Sequence, residues 1–408
     1  MNDVIQNSDW FKADGLRRVV SALSNAEGPP RIVGGAVRDT LLGHSVTDVD
    51  LATPLLPTDV MDRLESANIK SVPTGIEHGT VTAVCDGKNY EITTLRRDVA
   101  TDGRRAVVAF STDWKEDAAR RDFTINALYA DAQSGEIFDY FSGRHDLAMG
   151  LVRFIGDADQ RIAEDYLRIL RYFRFFARFG SSSADKEALE ACAKGAHGLT
   201  ALSRERIAQE LTRLITLPDP VLSVQLMTDH GIFAPFLPEL EQSAFLKLAS
   251  VVEREARHKL EISLPARLLT LLPRDAAVVD KVSARLKLSN RLREQLVYRV
   301  SGELPTDTNI RELAYRRGMI CAIDAAMLYA DADMFEMCFA RLENWTIPVF
   351  GLKGGDVIAM GVPAGPMVAK TLQSLEQIWI SEDFPNSEDF VAKSRQIVGE
   401  LLSATKKA

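Results

Sequence analysis

The spacing of hydrophobic positions changes near residue 156 and divides the chain into two kinds of structure. Between residues 31 and 138, short runs of β-branched residues alternate with segments of helical periodicity, a pattern typical of an α/β unit. Beyond residue 156, apolar positions recur at helical spacing almost throughout, and strand patterns are scarce. We therefore predict an α/β N-terminal part followed by an all-α remainder.

Two local patterns refine the α/β part. Alternating runs at residues 81–85 and 90–94 flank the turn-forming sequence CDGK, which predicts a β-hairpin. The stretch 96–112 is rich in charge, contains Asp102-Gly103 and has few large apolar residues before Val107. This composition is typical of loops, so we expect a mobile loop between ordered elements there.

Length and composition bound the class of protein. A chain of 408 residues, 46% of them hydrophobic, exceeds the ~250–300 residues at which a single core stops growing, so several domains are expected. No stretch approaches the ~18 consecutive apolar residues of a bilayer span, and the first ten residues are polar and acidic, unlike a secretory signal. These features predict a soluble cytoplasmic protein with no membrane partner.

Cysteine spacing and net charge exclude further classes of site. The four cysteines lie far apart and form no CxxC pair, so we expect buried thiols rather than a zinc site or a disulfide framework. The net charge of −8 argues against a generally basic surface for nucleic acid. Any RNA contact must therefore come from local arginine clusters.

The first candidate motif is a strand that runs into Gly34 and Gly35 and then into a helix ending near Gly43. Glycines at such a junction let backbone N–H groups approach phosphate oxygens, and the helix N-terminus adds positive potential. Arg38 could supply a second contact to a triphosphate. A glycine pair before a helix is also a common structural turn, so this motif needs support from its neighbours.

That support comes from Asp48 and Asp50, which alternate along a predicted strand and project from one face. Two carboxylates placed side by side repel unless a cation joins them, and oxygen ligands suit Mg²⁺, which could bridge triphosphate oxygens and activate an RNA 3′-hydroxyl. Glu91, in the second strand of the hairpin, could add a third carboxylate. The alternative is that all three are solvated acids on exposed strand positions.

A second motif places Arg120 and Arg121 before an apolar run that resembles a helix. Adjacent guanidiniums repel unless anions pair with them, so we expect Arg121 to bind a phosphate and Arg120 a carboxylate. The simpler interpretation is a helix start capped by Asp122, and the two can hold together.

A third motif lies in residues 159–175, which have helical periodicity. Asp165 and Arg168 are three residues apart and share a face of the predicted helix, and Arg171 and Arg174 continue the same ridge. Apolar neighbours indicate that the helix is packed, which leaves this ridge facing a cleft. An Asp–Arg ion pair on a solvated helix face is the alternative.

A carboxylate beside a guanidinium can read a nucleobase. Cytosine and adenine both present an amino donor next to a ring-nitrogen acceptor, which match a carboxylate and a guanidinium respectively. Uracil and guanine carry a carbonyl in place of that amino group and would leave buried polar groups unpaired, at a cost of ~1–3 kcal/mol per group. Asp165 and Arg168 could therefore select C and A without a nucleic-acid template.

Together, the motifs GGAVRD, DVDLAT, RRDFTINA and RIAEDYLRILRYFRF stand in the order and approximate spacing of the class II CCA-adding enzymes and bacterial poly(A) polymerases. The resemblance covers residues 31–180 closely. A weaker resemblance recurs at LKGGD, beginning at Leu352, and continues through Gly361 and Gly365-Pro366. These motifs favour the CCA-adding enzymes within this family.

The resemblance implies a role for each candidate residue. Asp48 and Asp50 are expected to hold catalytic Mg²⁺ ions. Nucleotide phosphates are expected at Gly35, Arg38 and Arg121, while Asp165 and Arg168 are expected to read the base. Arg171 and Arg174 match further nucleotide-binding arginines. In the family, a stretch corresponding to residues 96–112 is a flexible loop that takes part in the switch from C to A addition.

The resemblance also implies an architecture and partners. We expect a polymerase-β-type nucleotidyltransferase head at residues 1–140, a helical neck carrying the selecting helix at 141–215, a helical body at 216–300 and a tRNA-binding tail at 301–408. The expected partners are the 3′ end of tRNA, CTP and ATP, with no DNA. The alternatives are a poly(A) polymerase, a CC-only or A-only adding enzyme, a catalytically silent tRNA-binding protein, and an enzyme that transfers nucleotides to protein.

Overall fold

The structure, a computed structural model, describes residues 2–26, 28–102, 105–181 and 183–405. The chain packs into two compact units. The first comprises Met1–Ala249 and Lys281–Ser289, and the second comprises Ser250–Asp280 and Asn290–Ala408. The predicted division into head, neck, body and tail at residues 140, 215 and 300 stays a prediction.

The strands of the described chain all lie in the N-terminal part of the first unit. They are β1 (Arg31–Val33), β2 (Val49–Thr53), β3 (Lys70–Gly75), β4 (Thr80–Cys85), β5 (Lys88–Thr94), β6 (Arg96–Asp102), β7 (Arg105–Phe110), β8 (Leu128–Asp131) and β9 (Ile137–Asp139). Seven of them form a mixed sheet in the order β3-β4-β5-β2-β1-β8-β9. Only β2 and β5 pair in parallel among its neighbouring strands. The predicted α/β part is confirmed.

Helices surround this sheet and continue through the rest of the first unit. They are α1 (Asn2–Asn7), α2 (Asp14–Leu23), α3 (Gly35–Leu41), α4 (Pro57–Ser66), α5 (Trp114–Ala119), α6 (Gly143–Ala148), α7 (Ala158–Glu164), α8 (Leu167–Phe179), α9 (Lys186–Gly195), α10 (Arg204–Ile215) and α11 (Val221–Asp229). Short 3-10 turns occupy Ile76–His78, Thr124–Asn126 and Ala196–Ala201.

Among its described residues, the regular secondary structure of the second unit is all helical, as the apolar periodicity predicts. It contains parts of α12 (Ala244–Arg257) and α14 (Ala276–Arg285), together with α13 (Leu264–Leu269), α15 (Asn290–Val300), α16 (Ile310–Arg317), α17 (Met319–Tyr329), α18 (Ala332–Leu342), α19 (Gly354–Ala359), α20 (Pro366–Ser381) and α21 (Ser387–Thr405). Two apolar clusters form its core, one around Phe335 and one around Trp379.

The hairpin predicted around CDGK is confirmed. Strands β4 and β5 pair antiparallel, with Cys85 opposite Lys88. Asp86 and Gly87 both have positive φ, 51° and 74°, as the tight turns of such hairpins require. The hairpin lies next to β2 in the sheet, so it brings β5 alongside the strand that carries Asp50.

The prediction of a loop without secondary structure at residues 96–112 is wrong. Strands β6 and β7 form a separate two-stranded antiparallel ribbon, with Arg96 opposite Phe110. The β-branched residues of the stretch, Val99, Thr101, Val107 and Val108, favour strands. The charged residues around them obscured this preference.

Candidate functional site

The turn after β1 has the strand-glycine-helix form that the sequence predicts. Gly34 has a φ of 67° and a ψ of −114°, a conformation that glycine adopts far more readily than other residues. Its amide donates to the carbonyl oxygen of Leu128 at 2.9 Å, and Gly35 begins α3 directly afterwards. A Cβ atom at Gly34 would lie 3.7 Å from Nη1 of Arg121, so the turn passes close to that guanidinium.

A cavity of about 430 Å³ opens beside this turn. The predicted site residues that line it are Gly34, Gly35, Arg38, Asp50, Arg121, Arg168 and Arg171. The other lining residues are Val33, Asp122, Asn126 and Phe175. The predicted site residues outside the lining are Asp48, Glu91, Asp165 and Arg174. The backbone of the glycine turn, two carboxylates and four guanidiniums therefore line one cavity.

Arg38 is buried in the wall of this cavity. Its Nε donates to Oδ1 of Asp39 at 2.8 Å, and its Nη1 donates to Oδ1 of Asn126. Its guanidinium also stacks on the ring of Phe179, 4.1 Å from the ring centroid. Burial lowers the pKa of Arg38, and Asp39 opposes that effect. These contacts fix the direction of the guanidinium before any ligand arrives.

Asp39 connects this arginine to another helix. Its Oδ2 accepts a hydrogen bond from Nη2 of Arg178 on α8 at 3.1 Å. One carboxylate on α3 therefore binds a guanidinium of its own helix and one of α8.

Arg120 and Arg121 share one buried carboxylate, that of Asp117. Arg120 donates to Oδ1 at 2.7 Å, and Nη2 of Arg121 donates to Oδ2 at 3.3 Å. The hydroxyl of Tyr129 donates to the same Oδ2 at 2.7 Å and accepts from Nε of Arg121 at 3.1 Å. Burial alone would raise the pKa of Asp117, but Arg121 and Arg120 bring it below its ordinary value. Of the two arginines, Arg121 alone lines the cavity.

The helix predicted after these arginines is wrong. Residues Thr124–Asn126 form a single 3-10 turn that leads into β8, and Phe123 precedes it as the capping residue. Asp122 instead accepts hydrogen bonds on Oδ1 from the amide of Phe123 and from Nδ2 of Asn126, both at 2.9 Å. The apolar residues from Leu128 onward therefore belong to the sheet, in β8.

The acidic residues meet at the junction of β2 and β5. Asp50 lies directly opposite Glu91 in the parallel pairing of these strands. Asp48 lies just before β2 and accepts from Oγ1 of Thr47 at 2.9 Å. Partial loss of hydration, followed by the charge of Glu91, raises the pKa of Asp50 to about 6; Arg121 opposes this rise, and Asp48 adds the smallest contribution to it.

This arrangement fits a divalent cation that a ligand helps to hold. The negative charges of Glu91 and Asp48 raise the pKa of Asp50, and a bound cation would offset that repulsion. Among the residues that the structure describes, no group of three or more His, Cys, Asp or Glu is arranged to hold a metal by itself. The remaining ligands would therefore come from nucleotide phosphates and water. The role of Glu91 as a third ligand stays a prediction.

Replacing Asp50 by asparagine is expected to raise the apparent melting temperature of the metal-free protein by about 1–3 °C near neutral pH. The folded protein binds the Asp50 proton more tightly than the unfolded chain, because the pKa of about 6 lies above the ordinary 3.8. The stability that comes from this proton is fully present below about pH 4 and is lost as the pH rises through 6. The side chain is open to solvent, which keeps the effect small.

Thermal unfolding at about pH 7.5 and pH 4 measures this difference. The gain from Asp50→Asn should disappear at the lower pH, and Asp62→Asn, an exposed change on α4, should show neither effect. An equal gain at both pH values would contradict the elevated pKa.

The continuous helix predicted for residues 159–175 is wrong. It is broken at Asp165, whose backbone is extended (φ −156°, ψ 105°) between α7 and α8. Oδ1 of Asp165 accepts from the amide of Leu167 at 3.1 Å, and Oδ2 accepts from Nη2 of Arg206 on α10 at 2.7 Å. Asp165 and Arg168 therefore do not share a face of one helix.

The partner of Arg168 is Glu164, the last residue of α7. Nη1 of Arg168 donates to Oε2 of Glu164 and to the carbonyl oxygen of Arg161, the latter at 2.7 Å. Sequence reasoning missed Glu164, although its spacing of four residues from Arg168 is the ordinary spacing of helical ion pairs. Arg168 nevertheless lines the cavity, as a base-reading residue must.

Two further predicted arginines have different surroundings. Arg171 donates from Nε to Oδ2 of Asp122 at 2.7 Å and lines the cavity. Arg174 donates from Nε to Oε2 of Glu210 on α10 at 2.6 Å and stacks on Phe175. Arg171 therefore lies at the cavity, whereas Arg174 is engaged between α8 and α10.

The sequence also contains an adjacent histidine and aspartate, His145-Asp146, and the aspartate forms hydrogen bonds inside the fold. The carboxylate of Asp146 is fully buried, and its Oδ2 accepts from Oγ1 of Thr124 at 2.6 Å. Nη2 of Arg153 lies 2.9 Å from both carboxylate oxygens. These bonds tie α6 to the turn beside the cavity.

Family models match two parts of the chain. The model described as Poly A polymerase head domain matches residues 30–153. The model described as Probable RNA and SrmB- binding site of polymerase A matches residues 183–243.

Similar proteins match nearly the whole chain. CCA tRNA nucleotidyltransferase 1, mitochondrial, from Mus musculus is 36% identical, over 97% of this chain and 90% of that protein. A CCA-adding enzyme from Geobacillus kaustophilus is 30% identical, over 88% of this chain and 90% of that protein. The solved Bacillus stearothermophilus CCA-adding enzyme in complex with CTP superposes with a TM-score of 0.75 at 26% identity, covering 98% and 99% of the two chains.

A further solved structure supports the fold alone. The Thermotoga maritima CCA-adding enzyme complexed with tRNA-CCA has a TM-score of 0.73 at 20% identity, covering 96% and 97% of the two chains. In the described part of this chain, no helix combines the length and the apolar character needed to cross a bilayer.

Proposed function

Because this chain belongs to the CCA tRNA nucleotidyltransferase family, we propose that it adds C, C and A to the 3′ end of tRNA without a template. CTP and ATP are the nucleotide substrates in this proposal, and pyrophosphate is released. One observation carries it. A single cavity is lined by the Gly34 turn, by Asp50, by Arg121 and by Arg168, so phosphate, metal and base contacts are available to one bound nucleotide.

The chemistry joins the tRNA 3′-oxygen to the α-phosphorus of the nucleotide, breaks the bond from that phosphorus to the pyrophosphate and releases the hydroxyl proton to solvent. Arg38, Arg121 and the backbone amides of the glycine turn hold the triphosphate. Asp48 and Asp50 would hold a divalent metal, which members of this family generally use and which we propose to be Mg²⁺. Such an ion would supply a lower pKa for the 3′-hydroxyl and positive charge opposite the leaving pyrophosphate. The protein contributes mainly by positioning the reacting groups.

Base choice in this proposal belongs to Asp165 and Arg168. A carboxylate accepts from the amino group of cytosine or adenine, and a guanidinium donates to the neighbouring ring nitrogen. Uracil and guanine would set a carbonyl oxygen against the carboxylate. Arg206 donates to one oxygen of Asp165 and the amide of Leu167 to the other, so the direction of this carboxylate is fixed. Arg171 lines the same cavity and could meet a phosphate or sugar oxygen of the nucleotide.

The rest of the proposal concerns the acceptor and the location. We assign the tRNA body to the helical remainder, with the tail at residues 301–408 as its main binding surface. We further propose a cytoplasmic location. The mouse and human relatives carry the word mitochondrial in their names, so microscopy of the tagged chain would decide between the two compartments.

Sequencing the products made on a tRNA transcript that ends at its discriminator base tests the function. The transcript is incubated with Mg²⁺ and with CTP, ATP or both. We expect CCA ends with both nucleotides, CC ends with CTP alone, and no extension of a transcript that already ends in CCA.

Other products would overturn the proposal in defined ways. A long oligo(A) tract without CTP would indicate a poly(A) polymerase, and products that stop at CC, or addition of A only to CC ends, would indicate a partial activity. Binding of tRNA without any incorporation would indicate a silent binding protein. Label recovered in protein rather than RNA would indicate a different acceptor.

A further inference from the structure

Arg161, on α7, lies outside the cavity lining but contacts residues that form it. Its side chain is almost fully buried, with 8% exposure for the residue. Nη2 donates to the backbone carbonyl oxygens of Arg120 and Arg121, the latter at 2.7 Å. Arg161 therefore anchors the backbone of the arginine assigned to the triphosphate.

The same guanidinium is joined to the residues assigned to base choice. Nη1 of Arg161 donates to Oε2 of Glu164, which also accepts from Nη1 of Arg168. The carbonyl oxygen of Arg161 accepts a second bond from Arg168. A planar guanidinium can make these bonds at once because its donors point in fixed, diverging directions.

The carboxylate of Glu164 forms ion pairs with both Arg161 and Arg168. Two guanidiniums compete for one carboxylate in a region where the side chains of Arg161, Glu164 and Arg168 are only 10%, 18% and 14% exposed. If Arg161 were absent, Glu164 would be left to Arg168 alone. The Arg168 guanidinium would then bind Glu164 more firmly and would be less available to a nucleobase.

We propose that Arg161 is a positioning residue that sets Arg121 and Arg168 in register with each other. Arg161 holds Arg121, the proposed phosphate contact, by binding the backbone carbonyl of Arg121. It holds Arg168, the proposed base contact, through their shared partner Glu164. A nucleotide of fixed length between base and triphosphate then meets both contacts together. This inference rests on the proposed function, since it assumes that Arg168 reads the base.

The test is the nucleotide selectivity of Arg161→Lys. Lysine keeps the charge, but a single ammonium on a flexible stem cannot hold both carbonyls and Glu164 in this geometry. We expect the ratio of kcat/KM for UTP to that for CTP to rise by about tenfold, the change expected when one charged hydrogen bond of discrimination is lost. The ratio does not depend on the fraction of folded enzyme, so partial unfolding cannot imitate the effect.

Two further variants make the result decisive. Arg285→Lys breaks a comparable Arg–Glu pair in the same unit, that with Glu239, and should leave the ratio unchanged. Arg168→Ala removes the base contact itself and should raise the ratio. If turnover is too slow to follow, equilibrium binding of CTP and UTP to each variant gives the same comparison.

Each outcome bears on a separate claim. A raised ratio in Arg161→Lys and Arg168→Ala, but not in Arg285→Lys, supports the inference. A wild-type ratio in Arg161→Lys together with a raised one in Arg168→Ala overturns the inference and leaves the proposed function intact. A wild-type ratio in Arg168→Ala overturns the base-reading role itself, and the inference with it.

Discussion

Alanine at Asp50 or at Asp48 is expected to lower nucleotide incorporation into tRNA by about a thousandfold or more, a loss typical of removing a main electrostatic contact to the reacting groups. Asp50 lies opposite Glu91, and its pKa of about 6 leaves it largely ionised at neutral pH. Loss of either aspartate removes one of the two proposed metal ligands. The effect should fall on kcat, because the triphosphate arginines remain in place.

Single-turnover incorporation from radiolabelled CTP measures this loss. Asp62→Asn, an exposed aspartate on α4, serves as the control and should retain full activity. Near-normal incorporation by Asp50→Ala and Asp48→Ala would contradict the proposal that these aspartates bind the metal. It would favour a catalytically silent tRNA-binding protein. An intact melting transition in both variants shows that any loss is chemical rather than structural.

Alanine at Arg121 is expected to reduce kcat/KM for CTP and ATP by roughly tenfold to a hundredfold, the range for a charge-assisted contact to phosphate. Its guanidinium lines the cavity beside the glycine turn. Arg120 provides a matched comparison within the same sequence. Both arginines donate to Asp117, but only Arg121 faces the ligand space.

Arg120→Ala should therefore destabilise the fold about as much as Arg121→Ala while changing KM far less. In both variants Asp117 keeps the hydrogen bond from Tyr129 and one of its two guanidiniums. Steady-state kinetics with CTP as the varied substrate, beside thermal unfolding, separates the two effects. Equal KM values for the two variants would show that Arg121 has no special contact with the nucleotide.

The elements that could be predicted from the sequence were those with strong local signals. The CDGK turn requires positive φ at its two central residues, and Asp and Gly tolerate it, so the hairpin was predictable. The glycine pair after β1 was predictable for the same reason, since Gly34 has a φ of 67°. Once these elements are placed, the pairing of β2 with β5 brings Asp50 and Glu91 together.

Other elements depended on contacts between distant residues. Residues 159–175 have continuous helical periodicity, yet Asp165 interrupts the helix, and Arg206, 41 residues away in sequence, binds its carboxylate. Similarly, the ribbon of β6 and β7 reflects pairing between strands that local charge obscured. Periodicity indicates which face of a helix is buried. It does not indicate where a helix is interrupted because a side chain binds a residue that is distant in the sequence.

The partners of the predicted arginines were also beyond the sequence. Arg171 and Arg174 belong to one ridge by spacing, but Asp122 binds the first and Glu210 the second. Only the first therefore remains at the cavity. The sequence alone was enough to predict that arginines of this helix contact a nucleotide. Which arginine faces the cavity could be decided only from the fold.

The bonds of Asp39 constrain the proposed switch from one base to the next. This carboxylate links Arg38, the proposed phosphate contact, to Arg178 on α8, the helix that begins beside Arg168, the proposed base contact. Rotation of α8 would therefore either break the bond to Arg178 or move Arg38 with the helix. Under the proposed function, accommodating a purine after two pyrimidines calls for small side-chain rearrangements at the cavity, or for a rotation of α8 that begins by breaking this bond.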